Sequence, residues 1–161
     1  MPELPWKTYI EQGSFGFQYP AYLSEHNSLS PSAAVSLQSR EKAIFMCVVR
    51  ETRDTFRKLG YDTMNLSGYM DLVKLSRENK ESWYLPIRER NAKVNGLHAV
   101  EMYCEPENAI LTNGVSDSCS MKLLIIEGRK GFFQVCIWCR KTDYDLYTGE
   151  FDRIIRSFKE I

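Results

Sequence analysis

Residues 120–139, SMKLLIIEGRKGFFQVCIWC, hold two apolar runs around a polar GRKG, and the residues after them carry a helical stripe. Two β-compatible runs joined by a short polar turn read as a hairpin, here Ser120–Ile126 and Phe132–Cys139. From about Asp143 to Phe158 the apolar residues Tyr147, Phe151, Ile154, Ile155 and Phe158 recur at helical spacing, with Asp152, Arg153 and Arg156 outside the stripe. A β-ribbon followed directly by an amphipathic helix commits the chain to a layered fold, in which the helix lies against a mostly antiparallel sheet.

Two further pairs have the same form. Ala34–Gln38 and Ala43–Val49 flank SREK, and the second run is apolar almost throughout, as a central strand covered on both faces would be. Ile87–Val94 and Leu97–Cys104 flank Asn95-Gly96, a strong hairpin signal because both positions tolerate positive φ. Ser14–Tyr19 alternates and Pro20 closes it, since proline cannot donate to a ladder. Between the pairs, Glu51–Leu59 reads as a helix ending at Gly60. Ser67 reads as the N-cap of a second helix running to about Asn79, with Met70, Leu72 and Val73 facing inward. SEHNSLSPS and EPENAILTNGVSDS read as loops. Six or seven strands in sequential hairpins, without β-α-β alternation, predict an α+β fold: a single antiparallel sheet with helices packed on its faces. One domain over residues 1–161 is expected, with 1–13 as a flexible lead-in.

Charge and composition exclude several function classes. Lys+Arg and Asp+Glu number 21 each, so the basic surplus of a nucleic-acid binder is missing. No apolar run approaches the ~18 residues of a membrane span. MPELPWKTYIEQ has no charged-then-apolar signal pattern, so the chain reads as cytoplasmic as it stands, and as extracytoplasmic if a signal peptide has been removed.

Catalytic and cofactor motifs fare no better. Gly13-Ser14-Phe15-Gly16 invites a phosphate-loop reading, but Glu11 stands where the first glycine of G-x-G-x-x-G belongs. Lys42 precedes Ala43-Ile44, the wrong end for a kinase strand, and no Gly-Lys-Ser/Thr occurs. No nucleotide or other cofactor is expected. Cys136 and Cys139 form a C-x-x-C inside a strand, where residues three apart point to opposite faces and cannot share a metal ion. The five cysteines (Cys47, Cys104, Cys119, Cys136 and Cys139) read as buried thiols, with a cross-strand Cys119–Cys139 disulfide conceivable only if the chain is exported. His26 lies in a polar loop; His98 shares a strand face with Val100 and Met102 and is expected to be half-buried. Asp143 and Asp145 read as first-turn acids that complement a helix dipole. Trp83, Tyr84, Arg88 and Arg90 form the aromatic and basic set from which a binding surface is expected, with His98 beside it. The plainer alternative makes Trp83 an anchor at a helix-to-strand junction and the arginines a solvated face.

Several stretches, taken in order, resemble the PsbP-like superfamily, which also contains the Mog-type Ran-binding proteins. LPWKTYIEQGSFGFQYPAYL is similar to the opening of these domains, with Gly16-Phe17-Gln18-Tyr19-Pro20 a shortened form of their strand. LSGYMDLV resembles their first long helix, and Val94-Asn95-Gly96-Leu97-His98-Ala99 their hairpin. GRKGFFQVCIWCRKTDYDLYTGEFDRIIRSF resembles the closing hairpin and helix, with Ile154-Ile155-Arg156-Ser157-Phe158 matching the terminal I-x-x-S-F. The resemblance implies an antiparallel sheet sandwiched between helices, no catalytic site, and action by docking on a protein partner. The leading expectation is therefore a bacterial, non-enzymatic binding or accessory protein. A small enzyme using a thiol or His98 in a pocket between sheet and helix is the alternative, and a subunit of a homo-oligomer is a third reading.

Overall fold

The computed structural model describes residues 4–26, 33–61, 63–78, 87–106, 109–112 and 115–161. In chain order its strands and helices begin with β1 (Trp6–Glu11), β2 (Phe15–Pro20), β3 (Ser24–Glu25), β4 (Ala33–Ser39) and β5 (Ile44–Thr52). Then come α1 (Arg53–Lys58), α2 (Leu66–Glu78), β6 (Arg88–Val94), β7 (Leu97–Cys104), β8 (Ala109–Thr112) and β9 (Val115–Asp117). The chain closes with β10 (Cys119–Glu127), β11 (Gly131–Arg140), α3 (Tyr144–Ser157) and β12 (Lys159–Glu160).

The GRKG hairpin is the middle of a seven-stranded sheet, ordered β3-β4-β5-β11-β10-β7-β6, and every pairing in it is antiparallel. Alternation along β10 sends Leu124 and Ile126 to one face and Met121, Leu123 and Ile125 to the other. Each set joins a separate buried cluster, so the sheet is the middle layer of three. The first face is covered by α3, through Phe151, Ile154 and Ile155, and by a small second sheet; the other is covered by α1 and α2, through Phe56, Tyr69, Met70 and Val73. The α+β class and the antiparallel sheet between helices stand as the sequence predicts.

The expectation of one sheet is too simple. β2 leaves the main sheet to form a three-stranded sheet, β1-β2-β12, packed on the α3 face. The reason lies in its alternation: Phe15, Phe17 and Tyr19 are buried, and Phe15 meets Phe133 at 5.6 Å and Phe158 at 5.7 Å between ring centroids. The lead-in is likewise corrected. Trp6–Glu11 are β1, paired along all of β2, and the Tyr9 ring stacks on Phe17 at 5.3 Å. A cross-strand aromatic pair of this kind stabilises a strand that is weak in isolation. The loop 105–118 also contains strand, the two-stranded β8-β9 ribbon. Ser67 is not the cap of α2: the Asn65 side-chain oxygen accepts the Gly68 N–H at 2.8 Å, so the helix begins earlier.

Asn95 does two jobs. It takes φ 48° and Gly96 φ 82° in the two-residue turn between β6 and β7. Its side-chain nitrogen also donates to the carbonyls of Arg156 at 3.1 Å and Phe158 at 2.6 Å, holding the C-terminal end of α3. Asn95→Ala is therefore expected to lower stability by about 2 kcal/mol, from a strained φ and two lost hydrogen bonds. Asn95→Gly should lose only about half as much, because it keeps the turn conformation. Urea unfolding of the two variants side by side checks this.

The five cysteines are buried thiols. Cys136 belongs to the cluster on the α2 side and Cys139 to that on the α3 side, as three-residue spacing in a strand requires. The Cys119–Cys139 disulfide is contradicted by register: Cys119 stands opposite Arg140 and Cys139 opposite Ser120, so the two thiols face opposite sides of the sheet.

Candidate functional site

Beyond β10 the sheet continues into β7 and β6, and α3 does not cover this end fully. A cleft of about 680 Å³ opens there, lined by Arg88 and Arg90 of β6, Glu101 and Tyr103 of β7, Lys122 of β10, and Tyr144, Asp145, Thr148 and Asp152 of α3. Register brings the sheet residues together. Arg90 is opposite Glu101, Arg88 opposite Tyr103, and Lys122 opposite Tyr103 on the other side, so all five point to the α3 face.

A chain of ion pairs crosses the floor. Arg90 donates through Nε and Nη2 to Glu101 Oε2, at 3.2 and 2.7 Å. Lys122 Nζ lies 3.2 Å from Glu101 Oε1 and also donates to Asp152 Oδ1. Lys122 is buried, at 8% relative exposure, and its two carboxylates offset the cost of removing the ammonium from water. Tyr103 carries the second half of the network. Its hydroxyl is 2.9 Å from Glu105 Oε1 and 2.8 Å from Ser120 Oγ, while the Arg88 guanidinium lies 4.6 Å from its ring centroid. Hydrogen bonds from Tyr103 and Lys141 hold Glu105 below the usual carboxylate range. Burial pushes the Tyr103 and Tyr144 phenols up, so both stay neutral donors.

Of the residues singled out from the sequence, Arg88 and Arg90 stand together in this cleft, whereas Trp83 and Tyr84 lie outside the described residues. His98 is elsewhere. It is on the opposite face of β7, as its alternation with Val100 and Met102 implies, but it is exposed rather than half-buried. It borders a shallow depression of about 420 Å³ with Asn65, Ser67, Asn91 and Glu127. Glu101, Lys122 and Asp152 carry the cleft and were not singled out as a site. Asp152 turns from the outer face of α3 into it. The available signal was Lys122, a lone cation inside the apolar run MKLLII.

Cys139 is not an activated nucleophile. Burial pushes the Cys139 thiol up to about 12, with Asp143 adding to the effect. At that value its thiolate fraction at neutral pH is about a thousandfold below that of an unperturbed thiol. Iodoacetamide is therefore expected to leave Cys139 of the folded protein unlabelled over hours at pH 7.5 and to label it completely in denaturant. Peptide mass mapping reads the result, and rapid labelling of any of the five thiols would restore the enzyme reading. Among the described residues, no group of three His, Cys, Asp or Glu side chains is placed to hold a metal ion. No helix among them is long and apolar enough to cross a membrane.

No protein-family model matches the chain, and a search of curated proteins finds no match. Solved structures do match over nearly its full length. Cyanobacterial PsbP (CyanoP) from Synechocystis sp. PCC 6803 aligns with a TM-score of 0.65 at 13% identity, covering 99% of this chain and 95% of that one. The Ran-binding protein Mog1p of Saccharomyces cerevisiae gives 0.57 at 8% identity, covering 98% and 96%. PA94 of Pseudomonas aeruginosa, a protein of unknown function and putative regulator, gives 0.56 at 9%, covering 94% of each chain. The fold is that of PsbP and Mog1p, and identities this low show the fold alone.

Proposed function

We propose that this protein is a non-enzymatic binding or accessory protein that docks on a protein partner through the Arg88–Asp152 cleft. The carrying observation is the lining of the cleft. Arg88, Arg90 and Asp145 are exposed in it, around the ion pairs of Glu101, Lys122 and Asp152. Exposed charged side chains set around a charge-paired floor suit a protein surface better than a small substrate. Arg and Tyr in the lining are residue types enriched at interfaces, and the paired charges supply orientation rather than reactivity. Mog1p, which shares the fold, is itself named for binding a protein. The fold likeness supports the class of activity and leaves the partner to the surface chemistry.

The test compares proteins that co-purify with the wild-type chain and with a variant carrying Arg88→Glu and Asp145→Lys. Both positions are exposed, so the change should cost under about 0.5 kcal/mol each in stability. A partner retained by the wild type and lost by the variant, at unchanged melting temperature, is the expected result. The same set retained by both would remove the cleft from the docking surface.

A further inference from the structure

The Gly13-Ser14 turn, which fails as a nucleotide loop, lines a separate pocket of about 230 Å³ with Arg50, Lys130, Phe133 and Glu160. We infer that this pocket binds a small monocarboxylate, with Arg50 and Lys130 as its cationic clamp and the Phe133 side as its apolar wall. It shares no lining residue with the docking cleft, and it stands or falls independently of that reading.

The two cations reach across the gap between the main sheet and the small one. Arg50 Nη1 donates to Ser14 Oγ at 2.8 Å, and Lys130 Nζ donates to the Gly13 carbonyl at 3.0 Å. Neither has a carboxylate partner among the described residues, and Arg50 has further N–H groups beyond the one Ser14 receives. Glu160, the acid in the lining, already has its partners. Its side chain is 3% exposed; Oε1 accepts from Arg129 N at 2.8 Å and Oε2 from Lys130 N at 3.2 Å. Glu160 Oε1 is also 3.4 Å from Arg129 Nε, so its charge is already met and the charges of Arg50 and Lys130 are left for an anion.

The apolar wall at Phe133 favours a carboxylate carrying an aliphatic body over inorganic phosphate, which has nothing to bury there. A phosphate cradle needs several backbone N–H groups aimed at one point. Here Ser14 N donates to Glu11 O at 3.1 Å, Arg129 and Lys130 N donate to Glu160, and Ile161 N donates to Ser14 O at 2.8 Å. What remains is a planar guanidinium fork and an ammonium, a pair that meets the oxygens of a carboxylate or a phosphate, so the apolar wall makes the choice. The volume limits the rest of the ligand to a short aliphatic body. The carboxylate has two sources, a free short-chain acid or the terminal carboxylate of a peptide.

The experiment titrates the 15N-labelled protein with sodium propionate, with sodium chloride and sodium phosphate as parallel arms. Saturable amide shifts confined to Gly13, Ser14, Gly131 and their neighbours are expected with propionate, at a dissociation constant on the order of millimolar for so small a ligand. Arg50→Gln and Lys130→Gln should each weaken it about tenfold, the loss of one charge-assisted contact. Unchanged shifts elsewhere show that both variants fold. A valine-terminated tripeptide tighter than propionate, and lost on amidation, would assign the peptide source; propionate alone binding would assign the free acid. Absence of saturation, equal response to chloride or phosphate, or indifference to both substitutions would overturn the site.

Discussion

Gly131→Ala is expected to remove a large share of the stability of this protein. Gly131 opens β11 and stands opposite Thr52 at the end of β5, the pairing at the heart of the seven-stranded sheet. A Cβ added there would sit 2.2 Å from the Glu51 carbonyl oxygen and 2.9 Å from the Thr52 Cα. Both obstacles are backbone, so no rotamer change relieves them. Either β5 and β11 separate at this end, breaking ladder hydrogen bonds, or the GRKG turn distorts and releases Glu160, which holds the turn amides of Arg129 and Lys130. The cost is about 4 kcal/mol or more, in the range reserved for backbone clashes and core disruption. Against a total stability of roughly 5–15 kcal/mol, that is a large fraction. Far-ultraviolet circular dichroism and urea unfolding measure it; a loss under about 1 kcal/mol would mean that the β5–β11 contact is looser than described.

The contrast with Gly13 is instructive. Gly13 has φ 71°, and a Cβ there would meet nothing within 4 Å, so replacement strains only the backbone of one turn. The sequence presents both as glycines at hairpin ends. Only the three-dimensional neighbour distinguishes an obligatory glycine from a convenient one.

The same logic explains which parts of the fold were legible in the chain. The three hairpins were visible because their information is local: Asn95-Gly96 and GRKG sit between runs whose side-chain periodicity already matches strands. The α3 stripe was equally visible, since Phe151, Ile154 and Ile155 are spaced for one face and do bury together. β1, β12 and the β8-β9 ribbon were missed because nothing local marks them. Lys159–Glu160 is two residues long and is a strand only because β2 lies beside it, and WKTYIE owes its shape to Tyr9 stacking on Phe17. That β2 would leave the main sheet was also hidden, because its partners Phe133 and Phe158 lie more than a hundred residues away. The candidate cleft divides in the same way. Arg88 and Arg90 stood out as a basic pair next to aromatics, but their significance comes from Glu101, Lys122 and Asp152, on three other elements. Register across β6, β7 and β10 assembles them, and register is the first quantity that reading a chain by segments loses.

Lys122→Met is expected to lower stability by about 3 kcal/mol, although methionine fills the same volume and suits a strand between apolar neighbours. The loss comes from what stays behind. Glu101 has a side chain only 15% exposed, and without the ammonium it would face Asp152 across the cleft floor with the Arg90 guanidinium as its remaining counter-charge. Arg90 is 73% exposed, so its pairing is weakened by solvent and cannot take the place of Lys122. Adding Glu101→Gln and Asp152→Asn to Lys122→Met should recover about 2 kcal/mol, since neutral amides remove the uncompensated charge while keeping the shape. This pattern separates a buried ion network from ordinary packing: a packing loss would not be repaired by changes to the carboxylates. Urea unfolding of the single and triple variants decides it. A single-variant loss below about 1 kcal/mol would mean the floor is solvated, and a solvated floor would not hold Arg88, Tyr103 and Arg90 in one fixed arrangement for a partner to meet.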